Sequence, residues 1–316
     1  VKTTFARNAM PMVWDYSEVN VFAGAAGDFA VSLEGIARTL SRMGDTAKGY
    51  AVQADAQSQS ISQGKVISTD PPYFDNIGYA DLSDFFYAWL RPSLREVFPD
   101  LFATVTVPKA EELVATPGRH GGRTAAQTFF LEGMEAALRR LSEQAHPAFP
   151  VTIYYAFKQA ETDDEAGAAS TGWETFLEAT HRAGFCINGT WPIRTEREVR
   201  SRGIESNALA SSIVLVCRHR PSDARTATRK DFLTAIRTEL KPAVRLLQRG
   251  NIAPVDLAQA SIGPGMAIFS RYSRILETDG RPMTVRTALQ LINQTLDETL
   301  AEQEGDFDPE TAWAVA

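Results

Sequence analysis

The sequence is poor in cysteine and histidine, which limits the chemistry that it can support. It contains 2 Cys and 4 His in 316 residues, and none of these residues has the spacing of zinc ligands or of a disulfide framework. We therefore predict that the protein binds no metal. Cys186 and Cys217 both lie in apolar stretches, and we interpret them as buried thiols.

Long apolar runs are also missing. No stretch reaches the roughly 18 apolar residues that a membrane-spanning helix needs, so we predict no membrane segment. Residues 1–7 lack the apolar core of a signal peptide, and we expect a cytoplasmic protein. Because the chain begins at Val1 rather than at a methionine, we expect it to be part of a longer protein.

Acidic residues outnumber basic ones over the whole chain, but the basic residues are concentrated in one segment. The net charge is −7, yet residues 191–250 contain 13 Lys and Arg against 6 Asp and Glu. A basic face on an acidic protein is typical of contact with nucleic-acid phosphates, although an ordinary solvated helix face has the same composition. The candidates for phosphate contact are four arginines in the predicted loop between the last two strands, namely Arg194, Arg197, Arg200 and Arg202.

Hydrophobic periodicity predicts alternating helices and strands before residue 220 and helices after it. Strands separated by helices indicate a largely parallel α/β sheet, and the last two strands indicate a terminal antiparallel hairpin. We predict an α/β domain over residues 1–220 and a helical appendage over residues 221–316. The predicted strands are 50–54, 65–68, 151–157, 186–191 and 211–217, and the predicted helices are 29–43, 82–90, 125–141, 173–183, 231–248 and 284–302.

The motif that most directly indicates a chemical function follows the second predicted strand. It reads Asp70-Pro71-Pro72-Tyr73, and ligands of α/β proteins bind at the carboxyl ends of strands. The Asp70 carboxylate and the Pro71 carbonyl can each accept one N–H of an amino group, while Pro71 and Pro72 stiffen the turn. Tyr73 offers a ring on which a base pulled out of a duplex can stack. The alternative is a turn that merely terminates a strand.

The motif predicts methylation of an exocyclic amino group, whose lone pair is delocalised into the ring until acceptors engage its hydrogens. Adenine N6 in DNA is the leading target, and cytosine N4 or an RNA amino group remains open because the motif recognises an amino group rather than a ring. Asn76, three residues after Tyr73, is a candidate for lining the base pocket.

Residues 65–90, which read KVISTDPPYFDNIGYADLSDFFYAWL, resemble the DUF1156 family of adenine-specific DNA methylases, as do residues 14–20 and 208–216. The resemblance implies a Rossmann-like methyltransferase fold for residues 1–220, with a sheet that is incomplete at its N-terminal side. It implies S-adenosylmethionine as methyl donor, duplex DNA with a flipped adenine as substrate, and Asp70, Pro71, Pro72 and Tyr73 as the catalytic motif. It also implies that the family's glycine-rich cofactor loop lies before residue 1, in an upstream segment or a second polypeptide.

Three residues are candidates for contact with the donor within the chain itself. Asp55 ends the predicted strand 50–54, where a carboxylate can bind the adenine of the donor; the alternative is an aspartate that caps a turn. Phe22 and Gly24 belong to a glycine-containing turn before a predicted helix, where a backbone can approach a cofactor closely. Too few strands are predicted between this turn and the motif to form the complete cofactor-binding half of a methyltransferase domain. A non-catalytic DNA-binding or assembly subunit is therefore the alternative function.

Overall fold

The computed structural model describes residues 20–25, 28–44, 49–74, 77–155, 171–194, 211–249 and 254–305. Within these ranges the chain is a mixed α/β protein with seven helices and six strands. It divides into two compact units, of which unit 1 is Val1–Ala54 with Gly78–Glu112 and unit 2 is Asp55–Ile77 with Leu113–Ala316. In the described part of the chain, no helix has the length and apolar character needed to cross a membrane.

Unit 1 contains helices α1 (Phe29–Arg42) and α2 (Tyr79–Leu94). The Asp28 carboxylate caps α1 by accepting from the backbone N–H groups of Ala30 and Val31, as its preference for the N-cap position predicts. The segment after α2 folds back onto it, because Asp84 accepts from Val107 N at 2.8 Å and from Lys109 Nζ at 2.6 Å.

Unit 2 is built on a four-stranded sheet with the order β1-β2-β4-β3. The strands are β1 (Ser68–Thr69), β2 (Val151–Tyr155), β3 (Phe185–Arg194) and β4 (Ser211–His219). β1 pairs with β2 in parallel, whereas β4 is antiparallel to both β2 and β3. Three of the four strands therefore run in one direction. The predicted antiparallel hairpin is confirmed, but its reversed strand lies inside the sheet and makes two of the three pairings antiparallel.

The sheet is covered on both faces, as the run of apolar residues in β4 indicates. All five residues from Ile213 to Cys217 are buried, which an interior strand requires when neither face meets water. α3 (Arg123–Gln144) packs against α4 (Thr171–Arg182), and both helices contribute to one core with the sheet. The largest buried side chains of this core include Trp173, Phe176 and Phe130.

The C-terminal part of unit 2 is mainly helical and shares the core of the sheet. It contains α5 (Arg229–Arg249), α6 (Pro254–Ser270) and α7 (Val285–Gly305), with the short parallel strands β5 (Thr226–Thr228) and β6 (Arg274–Leu276). α6 packs on β3: the Ser270 hydroxyl accepts from Ile187 N at 2.8 Å, and Thr190 Oγ1 donates to the Ala260 carbonyl at 3.1 Å. Residues 221–316, predicted as a helical appendage, thus contribute helices to the same compact unit as the sheet.

One predicted strand is wrong. Residues 50–54 form neither helix nor strand and are exposed, because β-propensity yields a strand only where a partner supplies the hydrogen bonds. The strand predicted at 65–68 is displaced, since regular pairing with β2 is limited to Ser68 and Thr69. Lys65 instead forms an isolated bridge with Ala145.

A half-buried histidine, His181, joins α4 to the end of α6. His181 Nδ1 accepts from the Arg220 guanidinium at 2.7 Å, and the same guanidinium donates to the carbonyls of His181 and Ser270. Because arginine can only donate, His181 must be neutral in this arrangement. Burial, and then the positive charges of Arg220 and Arg182, lower the pKa of His181 to about 4.

We expect His181 to make the stability of the fold sensitive to acid. The unfolded chain takes up the His181 proton near its ordinary pKa of about 6.5, whereas the folded chain does so only near 4. The free energy of unfolding should therefore fall as pH drops through this window, by on the order of 3 kcal/mol in all. Denaturant titrations from pH 7 to pH 4 should show a shallower loss for His181→Gln than for the wild type. His146→Gln serves as the control, and parallel wild-type and His181→Gln curves would contradict the assignment.

Candidate functional site

The Asp-Pro-Pro-Tyr motif lies at the carboxyl edge of the sheet in unit 2. β1 ends at Thr69, which pairs with Ile153 of β2, and Asp70 is the next residue. Asp70 is exposed, and Pro71 and Pro72 are half-buried. Neither proline can donate to a ladder, so the strand ends where the motif begins. The motif therefore has the position that the sequence predicts, with its carboxylate open to a ligand.

Tyr73 connects the motif to the aromatic core. Its hydroxyl donates to Asp70 Oδ1 at 3.2 Å, and its ring meets the ring of Tyr155 edge-on with centroids 5.3 Å apart. Tyr155, the last residue of β2, stacks in turn on Phe176 with centroids 4.1 Å apart. The buried Tyr155 thus anchors the half-buried Tyr73 at the end of the motif. Sequence reasoning missed Tyr155, because its contact with the motif depends on which strand pairs with β1.

The residue after the motif fixes its far end. Phe74 is buried, its carbonyl accepts from Ala115 N at 2.8 Å, and its ring meets Phe130 edge-on at 5.2 Å. Gly172 approaches it so closely that a Cβ there would lie 2.9 Å from Phe74 Cβ. Contacts on both sides therefore hold the motif's backbone, as a preorganised hydrogen-bonding site requires.

Asp55 lies in an exposed turn rather than at the end of a strand. Its carboxylate accepts from Gln57 N and from Ser58 Oγ, each at 3.0 Å. Aspartate commonly forms such local hydrogen bonds with the backbone two residues ahead. Both carboxylate oxygens of Asp55 are thus engaged in its own turn, which is the alternative that the sequence left open.

Phe22 and Gly24 lie in a turn of unit 1 that leads into α1. Phe22 is 84% exposed. Gly24 has a φ of +69°, and its N–H donates to Asp28 Oδ2 at 2.6 Å. This hydrogen bond, more than those from the first turn of α1, lowers the pKa of Asp28. The N–H of Gly24 is therefore engaged in the capping of α1, and the turn does not present it to a ligand.

The predicted nucleic-acid contacts fall mostly beyond the described residues. Asn76, Arg197, Arg200 and Arg202 lie outside them, and the backbone of Arg194 ends β3. Because β3 runs in the same direction as β1, Arg194 is at the same edge of the sheet as the motif. Three strand spacings, about 14 Å, separate the two across the sheet, and the strand register places Arg194 about three residues beyond the level of Asp70.

Within the described residues, no group of three or more His, Cys, Asp or Glu side chains is arranged to hold a metal ion. Comparison of the chain with protein-family models, with curated protein sequences and with solved structures gives no match. Functional assignment therefore depends on the residues of the site and on their geometry.

Proposed function

We propose that this chain carries the catalytic motif of an S-adenosylmethionine-dependent methyltransferase that acts on N6 of adenine in DNA. The observation that carries the proposal is the position of Asp70, Pro71, Pro72 and Tyr73 directly after β1, with the Asp70 carboxylate exposed and the backbone on either side held by core contacts. This is where an α/β sheet binds its ligands.

The geometry suits activation of an amino group. The Asp70 carboxylate accepts one amino hydrogen of the flipped base and the Pro71 carbonyl accepts the other, which keeps the nitrogen lone pair away from the ring. The hydrogen bond from Tyr73 to Asp70 Oδ1 orients the carboxylate and leaves Oδ2 for the base. S-adenosylmethionine would supply the electrophilic methyl group: the bond from nitrogen to the methyl carbon would form as the sulfur–carbon bond breaks, S-adenosylhomocysteine would leave, and one amino proton would be lost by way of the Asp70 carboxylate to solvent. The same acceptors suit cytosine N4, so the choice of adenine rests on the resemblance to the DUF1156 family.

The arrangement of the sheet supports a Rossmann-like fold as part of this proposal. The strands β1, β2 and β3 share one direction, and the reversed β4 pairs between β2 and β3. These directions are the ones expected for the C-terminal half of a methyltransferase sheet with a terminal hairpin. Helices α3 and α4 lie between consecutive strands in sequence, as the α/β pattern requires.

Two of the three candidate donor contacts are engaged in local hydrogen bonds. The Asp55 carboxylate is engaged in its own turn, and the N–H of Gly24 is engaged with Asp28. We propose that an upstream segment or a second polypeptide completes the donor site.

Product analysis tests the proposed reaction. The chain, and the longer protein if its gene encodes one, is incubated with tritiated S-adenosylmethionine and, in separate reactions, with an adenine-containing DNA duplex or with RNA, and the nucleic acid is digested to nucleosides. We expect N6-methyladenine. Label in N4-methylcytosine, or label in RNA only, would reassign the substrate, and no transfer by any of these forms would contradict an enzymatic role.

Calorimetric titration with S-adenosylmethionine separates the enzyme from the non-catalytic subunit. Because the Asp55 carboxylate and the N–H of Gly24 are engaged elsewhere, we expect residues 1–316 alone to give no measurable saturation. Micromolar binding by this chain would overturn that conclusion and restore Phe22, Gly24 and Asp55 as donor contacts.

A further inference from the structure

We propose that the solvent-facing side of α5 binds the phosphate backbone of duplex DNA. The surface consists of Lys230, Arg237, Arg245 and Arg249, which we call the basic stripe. All four side chains are exposed. The inference rests on the proposed function for the choice of DNA as the polyanion, and it names a contact surface that the motif at β1 does not supply.

Helix geometry puts the stripe on a single side of α5. The helix buries Phe232, Ile236, Leu240 and Val244, which follow one another at intervals of four residues. At about 100° per residue, the basic stripe occupies an arc of about 120° that does not overlap the buried arc. Its length, from Lys230 to Arg249, is about 28 Å at 1.5 Å per residue. This length matches about eight base-pair steps of 3.4 Å.

The positive charge of the stripe is not neutralised by salt bridges. None of its four side chains forms a salt bridge to any residue that the structure describes. The acidic side chains of α5 have other partners: Asp231 Oδ2 accepts from the N–H and the hydroxyl of Thr228, and Glu239 binds Arg271. The stripe therefore faces solvent with four cations that lack salt-bridge partners among the described residues, on a chain whose net charge is −7.

Charge complementarity selects a polyanion as the occupant. A solvated helix face usually mixes both signs of charge, whereas the arc of the stripe contains five Lys and Arg against one acidic residue, Asp231. A protein partner would require an apolar anchor, and Leu246 is the only large apolar side chain exposed on this helix. Cations on one side of a helix without apolar anchors suit phosphates, which bind through charge and the release of counterions.

A salt titration of DNA binding tests the stripe. Binding of the 316-residue chain to a 30-base-pair duplex is measured between about 50 and 200 mM salt, for the wild type and for Lys230→Gln, Arg237→Gln, Arg245→Gln, Arg249→Gln combined. Loss of four phosphate contacts should make the log-affinity slope against log salt shallower by about 3.6, and the loss of affinity over this range should shrink about 10²-fold. A matched variant removes four exposed arginines elsewhere, namely Arg38, Arg42, Arg95 and Arg218, and should leave most of the slope.

The outcomes separate this surface from the proposed reaction. A shallower slope in the stripe variant alone supports the surface, even if the protein transfers no methyl group. Equal slopes for the wild type and the stripe variant overturn it, even if adenine is methylated. Equal flattening by both variants, no duplex binding by the wild type, or tighter binding to duplex RNA than to DNA also overturns the assignment.

Discussion

Replacing Asp70 with alanine is expected to abolish methyl transfer to DNA, with a loss of rate on the order of 10²-fold or more. The substitution removes the acceptor for one amino hydrogen, so the lone pair of the nitrogen stays delocalised into the base. Stability should change little, because the side chain is exposed and the hydrogen bond that it accepts from Tyr73 lies at the surface of the site. The measurement is single-turnover methylation of a duplex at saturating donor, made on the form of the protein that transfers methyl groups, with circular dichroism to check the fold.

Two further variants make this result specific to the motif. Tyr73→Phe removes the hydroxyl that donates to Asp70 Oδ1 but keeps the ring against Tyr155, so it should slow transfer less than Asp70→Ala. Asp223→Ala removes an exposed carboxylate from another turn of unit 2 and should keep the wild-type rate. If Asp70→Ala retained its rate in a protein that methylates DNA, the catalytic assignment of the motif would be wrong.

The sequence predicts the place of the motif because local rules decide it. Neither Pro71 nor Pro72 can continue a ladder, so a strand that leads into them must end there and Asp70 falls at its end whatever the rest of the fold does. The hairpin of β3 and β4 can also be predicted from the sequence, since β4 contains a run of β-branched and apolar residues. By contrast, residues 50–54 have strand-like composition and form no strand, because composition alone does not provide a partner.

Contacts between elements distant in sequence could not be predicted in this way. Nothing in the local pattern indicates that Tyr155 reaches Tyr73, because that contact depends on which strand pairs with β1. The excess of basic residues in 191–250 can be counted in the sequence, but composition does not show which of them share one helix face. Only burial of Phe232, Ile236, Leu240 and Val244 in α5 shows which cations of this helix point to solvent.

We expect the largest change in stability from a substitution at the contact between α6 and β3. Gly263 approaches Thr190 so closely that an added Cβ would overlap the Thr190 side chain, including its Cβ at 2.6 Å. Thr190 cannot easily move, because it is buried and its hydroxyl donates to the Ala260 carbonyl at 3.1 Å. Gly263→Ala must therefore displace α6 from the sheet, where Ile187 N and the Ser270 hydroxyl share a buried hydrogen bond.

We expect Gly263→Ala to lower the free energy of unfolding by about 3 kcal/mol, at the upper end of the cost of overpacking a core. Denaturant titration at pH 7 measures the loss. Gly189→Ala is the matched control, because Gly189 lies beside Thr190 in β3 and a Cβ there meets no atom within 4 Å. Thr190→Ala in the Gly263→Ala background removes the two atoms nearest to the new Cβ and should recover part of the loss. Residues in contact couple energetically, so purely additive effects of these two substitutions would show that the overlap is not what destabilises the variant. If Gly263→Ala left the free energy of unfolding unchanged, α6 would not pack on β3 this closely.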